Sequence, residues 1–202
     1  MTDETQAIAG SEPLQPLKIK CTDANCETGL HCFRKTKKLV AEHKDGHCRY
    51  CDVDLINWDR VHVRDLADAD FTFTQMRYEY VRHHYWHAEM DEKAVTYAHH
   101  KGRIGLPAAV AKRLVSSVGG AQPFRDGYQT PWAGNPIYYA QHATASCCRT
   151  CIEEWHGIPT GVALTRKQLA YLGELAIRYL DLRMPDLNEE PEPIRRRRKK
   201  RE

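Results

Sequence analysis

The chain has 202 residues, enough for one domain with a substantial core or for two small ones. Charged residues make up 28% and hydrophobic residues 42%, a globular balance that excludes wholesale disorder. The longest apolar run, Ile104 to Ala111, is broken by Gly105 and Pro107, which excludes a membrane-spanning helix. The net charge of +3 is unevenly spread, because residues 194–202 carry seven basic side chains and one acidic, leaving a slightly acidic body. The eight cysteines and eleven histidines point to metal.

The first seventeen residues are polar and acidic, lack the basic and apolar regions of a secretory signal, and read as a flexible arm. The expected location is therefore the reducing cytoplasm, where structural disulfides are rare and thiolate ligation of a metal accounts for paired cysteines. Phe33 to His43 reads as a short basic helix stopped by Asp45-Gly46. Asp70 to Ala88 reads as one aromatic helix, with Phe73, Met76, Tyr80 and His84 or His87 on one stripe. Pro107 suits the first turn of a helix that Gly119-Gly120 closes. A loop then runs to Asn135, and Pro136 to Ala140 is predicted to form a short strand. Thr165, with Gln168 three residues on, fits the capping box of a last helix reaching about Arg183. The expected fold class is mainly α with a few short strands, a small metal-stapled α+β unit with zinc-knuckle regions.

The cysteines fall into two sets. In the first, Cys21, Cys26 and Cys32 precede Cys48-x2-Cys51, and two tight knuckles would complete a closed tetrahedral zinc site. Cys21, Cys26, Cys48 and Cys51 have the better spacing; Cys32 is then a substitute ligand or a core residue, and His31, His43 and His47 are further candidates. An iron–sulfur cluster fits less well, since the first spacings do not match ferredoxin runs. In the second set, His142 and His156 flank Cys148-x2-Cys151, a local two-Cys two-His arrangement with Cys147 spare. Four protein ligands would make this site structural; a free position would allow chemistry on a metal-bound water, with Glu153 or Glu154 as outer partner or base. The two CxxC pairs could also meet in one four-thiolate site.

From about Asp126 to Arg183 the sequence resembles the domain-of-unknown-function 4186 family of bacteria and their phages. The shared pattern is QTP, then AQHATA-x-CCR-x-C-x-E-x-WHGIP-x-G-x-x-LT, then a helix. The resemblance brings no established activity, but it implies that His142, Thr144, Cys147, Cys148, Arg149, Cys151, Trp155 and His156 are the positions to watch. The expected organisation is an arm (1–17), a Cys/His-rich module (18–100), a family-like domain (101–185) and an acidic then basic tail (186–202).

Weaker signals complete the reading. His87-Ala88-Glu89 matches the HxE of zinc deaminases, with Cys148 and Cys151 as its partner pair, but Cys147 stands where that motif has proline. Cys48-x2-Cys51 followed by His62 is similar to the opening of HNH nucleases, although Val61 stands where an Asp is expected. The run Arg195, Arg196, Arg197, Arg198, Lys199, Lys200 and Arg201 is able to neutralise several phosphates, helped by Arg34, Lys35, Lys37 and Lys38. The expected function is a zinc-binding protein with one or two structural ions, acting as a nucleic-acid-associated module. The alternative is a metal-dependent hydrolase, nuclease-like ahead of deaminase-like. No membrane partner is expected.

Overall fold

The computed structural model describes residues 19–193. Eight α-helices are present among them: α1 (Lys37–Ala41), α2 (Trp58–Val61), α3 (Ala69–Met76), α4 (Tyr80–His87), α5 (Glu92–Val118), α6 (Pro136–Ala143), α7 (Arg149–His156) and α8 (Arg166–Arg183). The fold is mainly helical. Among the described residues, strand-like pairing is limited to two isolated bridges, Asn25 with Leu30 and His31 with Glu79. Among the described residues no helix is long and apolar enough to cross a membrane.

The core lies where α5 and α8 pack together with α6, and α4 closes over α6. Helix α8 begins as its sequence dictates, with Thr165 and Gln168 exchanging capping bonds, and buries Leu172, Leu175, Ala176, Tyr179 and Leu180. Helix α5 buries every fourth residue: Ala94, Ala98, Gly102, Leu106, Val110, Leu114 and Val118. A stripe of that spacing drifts about 40° per step around a straight helix, too far over 27 residues to keep facing one partner. The helix resolves this by breaking at Gly102, whose φ of 59° and ψ of 172° suit glycine. The freed N–H groups of Arg103 and Ile104 donate to the carbonyls of Asn188 and Glu189, so the segment after α8 caps the second half of α5. A Cβ at Gly102 would lie 2.5 Å from Glu189 O. Pro107 therefore sits one turn into a fresh helical segment, close to the role its sequence suggests.

Two elements differ from expectation. Pro136–Ala143 is helical, not a strand: Asn135 caps it by accepting from Ile137 N–H, and Pro136 takes the first helical position, where its missing donor costs nothing. The aromatic stretch forms two helices rather than one. Between α3 and α4 the chain turns at Arg77–Glu79, and the groups released there pair with His31, whose N–H donates to Tyr78 O and whose carbonyl accepts from Tyr80 N–H. No Gly or Pro marks this turn; a tertiary contact makes it.

Candidate metal centres

The amino-terminal loop brings Cys26, His31, Cys48 and Cys51 together, their ligand atoms all within 4.8 Å of one another. Cys26 Sγ lies 3.8 Å from Cys48 Sγ, and Cys51 Sγ lies 3.3 Å from His31 Nδ1. Tetrahedral zinc with bonds of about 2.3 Å to sulfur and 2.0–2.1 Å to nitrogen needs edges of roughly 3.8 and 3.6 Å. The donor set fits that ion. The Cys48–Cys51 turn is fixed by Cys48 N–H donating to Val53 O and Asp52 N–H donating to Cys48 O, with Asp52 at φ 62°. Burial opposes charge on Cys48, but neighbouring backbone N–H groups and His31 outweigh it and bring its thiol down to about 6. Burial, aided by hydrogen bonds with Cys51 and Cys48, pushes Cys26 up to about 12. Of the residues the spacing favoured, Cys26, Cys48 and Cys51 assemble here with His31, and Cys21 goes elsewhere.

The second centre gathers Cys147, Cys148 and Cys151, all buried, with sulfurs within 4.8 Å of one another. Cys148 caps α7, its sulfur accepting from Cys151 N–H at 3.4 Å, so these sulfurs gather at the positive end of that helix. Cys21 arrives from the amino-terminal loop near enough to Cys151 for each thiol to shift the other's ionisation, but its sulfur is not one of the three that lie within 4.8 Å of one another. The neighbouring thiols of Cys147, Cys148 and Cys21 hold the Cys151 thiol well below the usual range despite burial. Arg82 adds two donors, Nη2 at 3.0 Å from Cys151 Sγ and Nη1 at 3.6 Å from Cys147 Sγ. Cys32 joins neither group; it is buried and its thiol donates to Cys21 O at 3.5 Å.

His142 and His156 stand outside both groups. His142 is sandwiched between Tyr85 and Trp132, at 4.7 and 4.6 Å between ring centroids, with Nε2 against Pro131 O. His156 packs its edge on Tyr171 and bonds through Nε2 to Thr144 O. Among the described residues, neither Nδ1 has a partner. Burial depresses both rings from the usual 6.5 to about 4. In the unfolded chain they take up protons as pH falls through 6.5, while the folded protein resists until about 4, so stability falls on acidification and is unaffected above 6.5. Between pH 7.5 and pH 5 the two together should cost roughly 4 kcal/mol, read from denaturant midpoints. His142→Asn should remove about half of that slope; an unchanged slope would contradict the assignment.

His87 stacks on His83 at 4.0 Å and lies outside the group containing Cys148 and Cys151, so the deaminase-type ligand set is not assembled. His62 bonds to the backbone carbonyl of Glu154 and leans on Trp58. The basic run 195–201 lies outside the described residues.

Arg82 and Glu79 are the residues that sequence reasoning did not reach. Glu79 accepts from Arg82 Nε at 3.0 Å and from Trp155 Nε1 at 2.8 Å, and Arg82 Nη1 also donates to His142 O at 2.7 Å. Since Glu79 lies in the turn that pairs with His31, one buried network joins the two sulfur-rich groups. Arg149 is likewise buried, donating to the carbonyls of Gly120, Pro159 and Val162, which ties the end of α5 to the loop before α8.

A helical scaffold carrying two cysteine-rich groups, each able to hold a metal ion, is the class that fold and site define. The model for the domain of unknown function (DUF4186) matches residues 70–181, more than half of the chain, and the protein belongs to that family. The match takes in Arg82 and the Cys147–Cys151 group, while Cys21 and the Cys26–Cys51 group precede it. No solved structure matches the chain.

Proposed function

We propose that this is a zinc protein whose two ions are structural, clamping the amino-terminal loop onto the family domain, and that the clamped scaffold acts as a nucleic-acid-binding module. The first ion takes Cys26, His31, Cys48 and Cys51; the second takes Cys147, Cys148 and Cys151, with Cys21 as fourth ligand. The observation that carries the reading is the assembly of Cys26 and His31, from the amino-terminal loop, with Cys48 and Cys51 in one group, while Cys21 of the same loop approaches Cys151 of the other. Such a loop has no apolar run of its own, and metal bonds supply what a core would. Four ligands at the first centre, and Cys21 completing the three of the second, would leave no open position for a reacting water, which favours structure over hydrolysis. The basic run Arg195–Arg201 supplies a phosphate-seeking arm. Metal analysis of the purified full chain tests the core of this reading: two zinc ions per chain are expected, and a metal-free folded protein would overturn it.

A further inference from the structure

The outer face of α5 and the start of α6 enclose a groove of about 440 Å³ with an unusual lining. Its charged residues are Lys101, Lys112 and Arg113, and no carboxylate lines it. Among the described residues, neither lysine makes an ion pair, so their charge is unspent. Its aromatic residues, Tyr97 and Tyr138, are each held against a cation: Lys101 Nζ lies 5.7 Å from the Tyr97 ring, and the Arg113 guanidinium lies 4.8 Å above Tyr138. Between them Gly105, Ala108 and Ala109 give a floor without long side chains.

The groove does not end at α6. Arg113 donates to Gln129 O and to Gln141 Oε1, which anchors the long loop before α6 to the groove wall. That loop displays Phe124 and Tyr128, 82% and 83% exposed, with Arg125 and Asp126 between them, the Asp126 carboxylate accepting from Arg149 N–H and Thr150 Oγ1. Gln141 and the Cys147 carbonyl both accept from Thr130 Oγ1, so the wall and the loop are tied to the backbone of the second metal centre.

Cations beside half-buried rings, in a groove that no carboxylate lines, are what a polynucleotide with unpaired bases requires: cations track the phosphates and rings accept the bases. A duplex hides its base faces and would leave Tyr97, Tyr138 and the loop aromatics idle. On these grounds, and resting on the nucleic-acid reading above, we infer that this groove binds single-stranded nucleic acid, with bases stacked on Tyr97, Tyr138 and the 124–128 loop and phosphates on Lys101 and Lys112.

The test uses the full zinc-loaded chain with labelled twelve-nucleotide oligo-dT and oligo-U, titrated between 50 and 200 mM salt. Lys101→Glu/Lys112→Glu should weaken binding at least tenfold at 100 mM salt and lower the salt slope by about 1.4. Tyr97→Ala/Tyr138→Ala should weaken it tenfold or more with the slope unchanged, and a chain ending at Pro193 should lower the slope yet keep the tyrosine dependence. Zinc content and melting temperature serve as controls; should the tyrosine pair disturb either, Tyr128→Ala, at an exposed loop position, replaces it with an expected loss of about fivefold. If the wild-type chain binds and the groove variants bind equally well, the groove is wrong while the tail reading stands. If the wild-type chain binds neither oligonucleotide, the nucleic-acid reading fails and this inference with it. Competition by polyglutamate as effective, charge for charge, as by unlabelled oligonucleotide would also overturn it.

Discussion

Cys151→Ser should reduce the zinc content from two ions per chain to one and leave a protein that melts at least ten degrees lower or fails to fold. Cys151 is buried, accepts from Arg82 at 3.0 Å, and lies within 4.8 Å of the Cys147 and Cys148 sulfurs. A structural zinc site contributes about 10–16 kcal/mol of apparent binding free energy at neutral pH, whereas a domain is stable by about 5–15 kcal/mol in total. Losing even part of one site is therefore comparable with the whole margin. Two companions sharpen the result. Cys51→Ser, at the solvent-exposed rim of the first centre, should weaken zinc there while the fold survives. Cys32→Ser should keep both ions, because its sulfur points to a carbonyl and not into either group. Full zinc content in Cys151→Ser would contradict the ligand assignment.

Arg82→Met should cost about 3–5 kcal/mol, the toll of removing one partner from a buried ion pair. Arg82 and Glu79 are almost fully enclosed, at 1% and 2% exposure, so neither charge can turn to water. Burial already pushes the Glu79 carboxyl up, and Arg82 is the cation that opposes this. Without it Glu79 keeps only Trp155 as a donor and must protonate or unfold its surroundings. Glu79→Gln preserves the bond from Trp155, so the double variant Glu79→Gln/Arg82→Met should be milder than the sum of the singles by 1–3 kcal/mol. Because Arg82 also donates to Cys151 and Cys147, zinc at the second centre should weaken by about 10–100-fold in Arg82→Met. Denaturant titration and competition with a metal indicator read the two effects separately. Additive singles would show that the pair is not coupled.

The sequence was legible wherever the signal was local. Thr165 and Gln168 announce α8, Gly119-Gly120 closes α5, and the shared motif around Cys147–Cys151 leads to the family that the match over 70–181 establishes. At Pro136–Ala140 the β-prone Ile137-Tyr138-Tyr139 suggests a strand, but Asn135 caps the segment and Pro136 takes its first helical position, so it is a helix. What escaped depends on contacts distant in sequence. His31 joins Cys26, Cys48 and Cys51 because the turn between α3 and α4 holds its backbone, and nothing at Arg77–Glu79 marks that turn. Cys21 approaches Cys151, 130 positions away, a proximity that spacing within the first 51 residues does not reveal. His142 and His156 have ligand-like spacing, yet α6 and α7 point them at rings and carbonyls. Arg82 lies in an ordinary amphipathic stretch, and only the fold shows that three sulfur and carboxylate partners surround it.

X-ray absorption at the zinc edge, taken together with a metal count on the purified full chain, tests the central claim most directly. The account predicts two zinc ions per chain, first-shell distances near 2.3 Å, and on average between three and four sulfur ligands with a minority of nitrogen. Fewer than one metal per chain, a shell dominated by oxygen and nitrogen, or iron with a short metal–metal distance would contradict it.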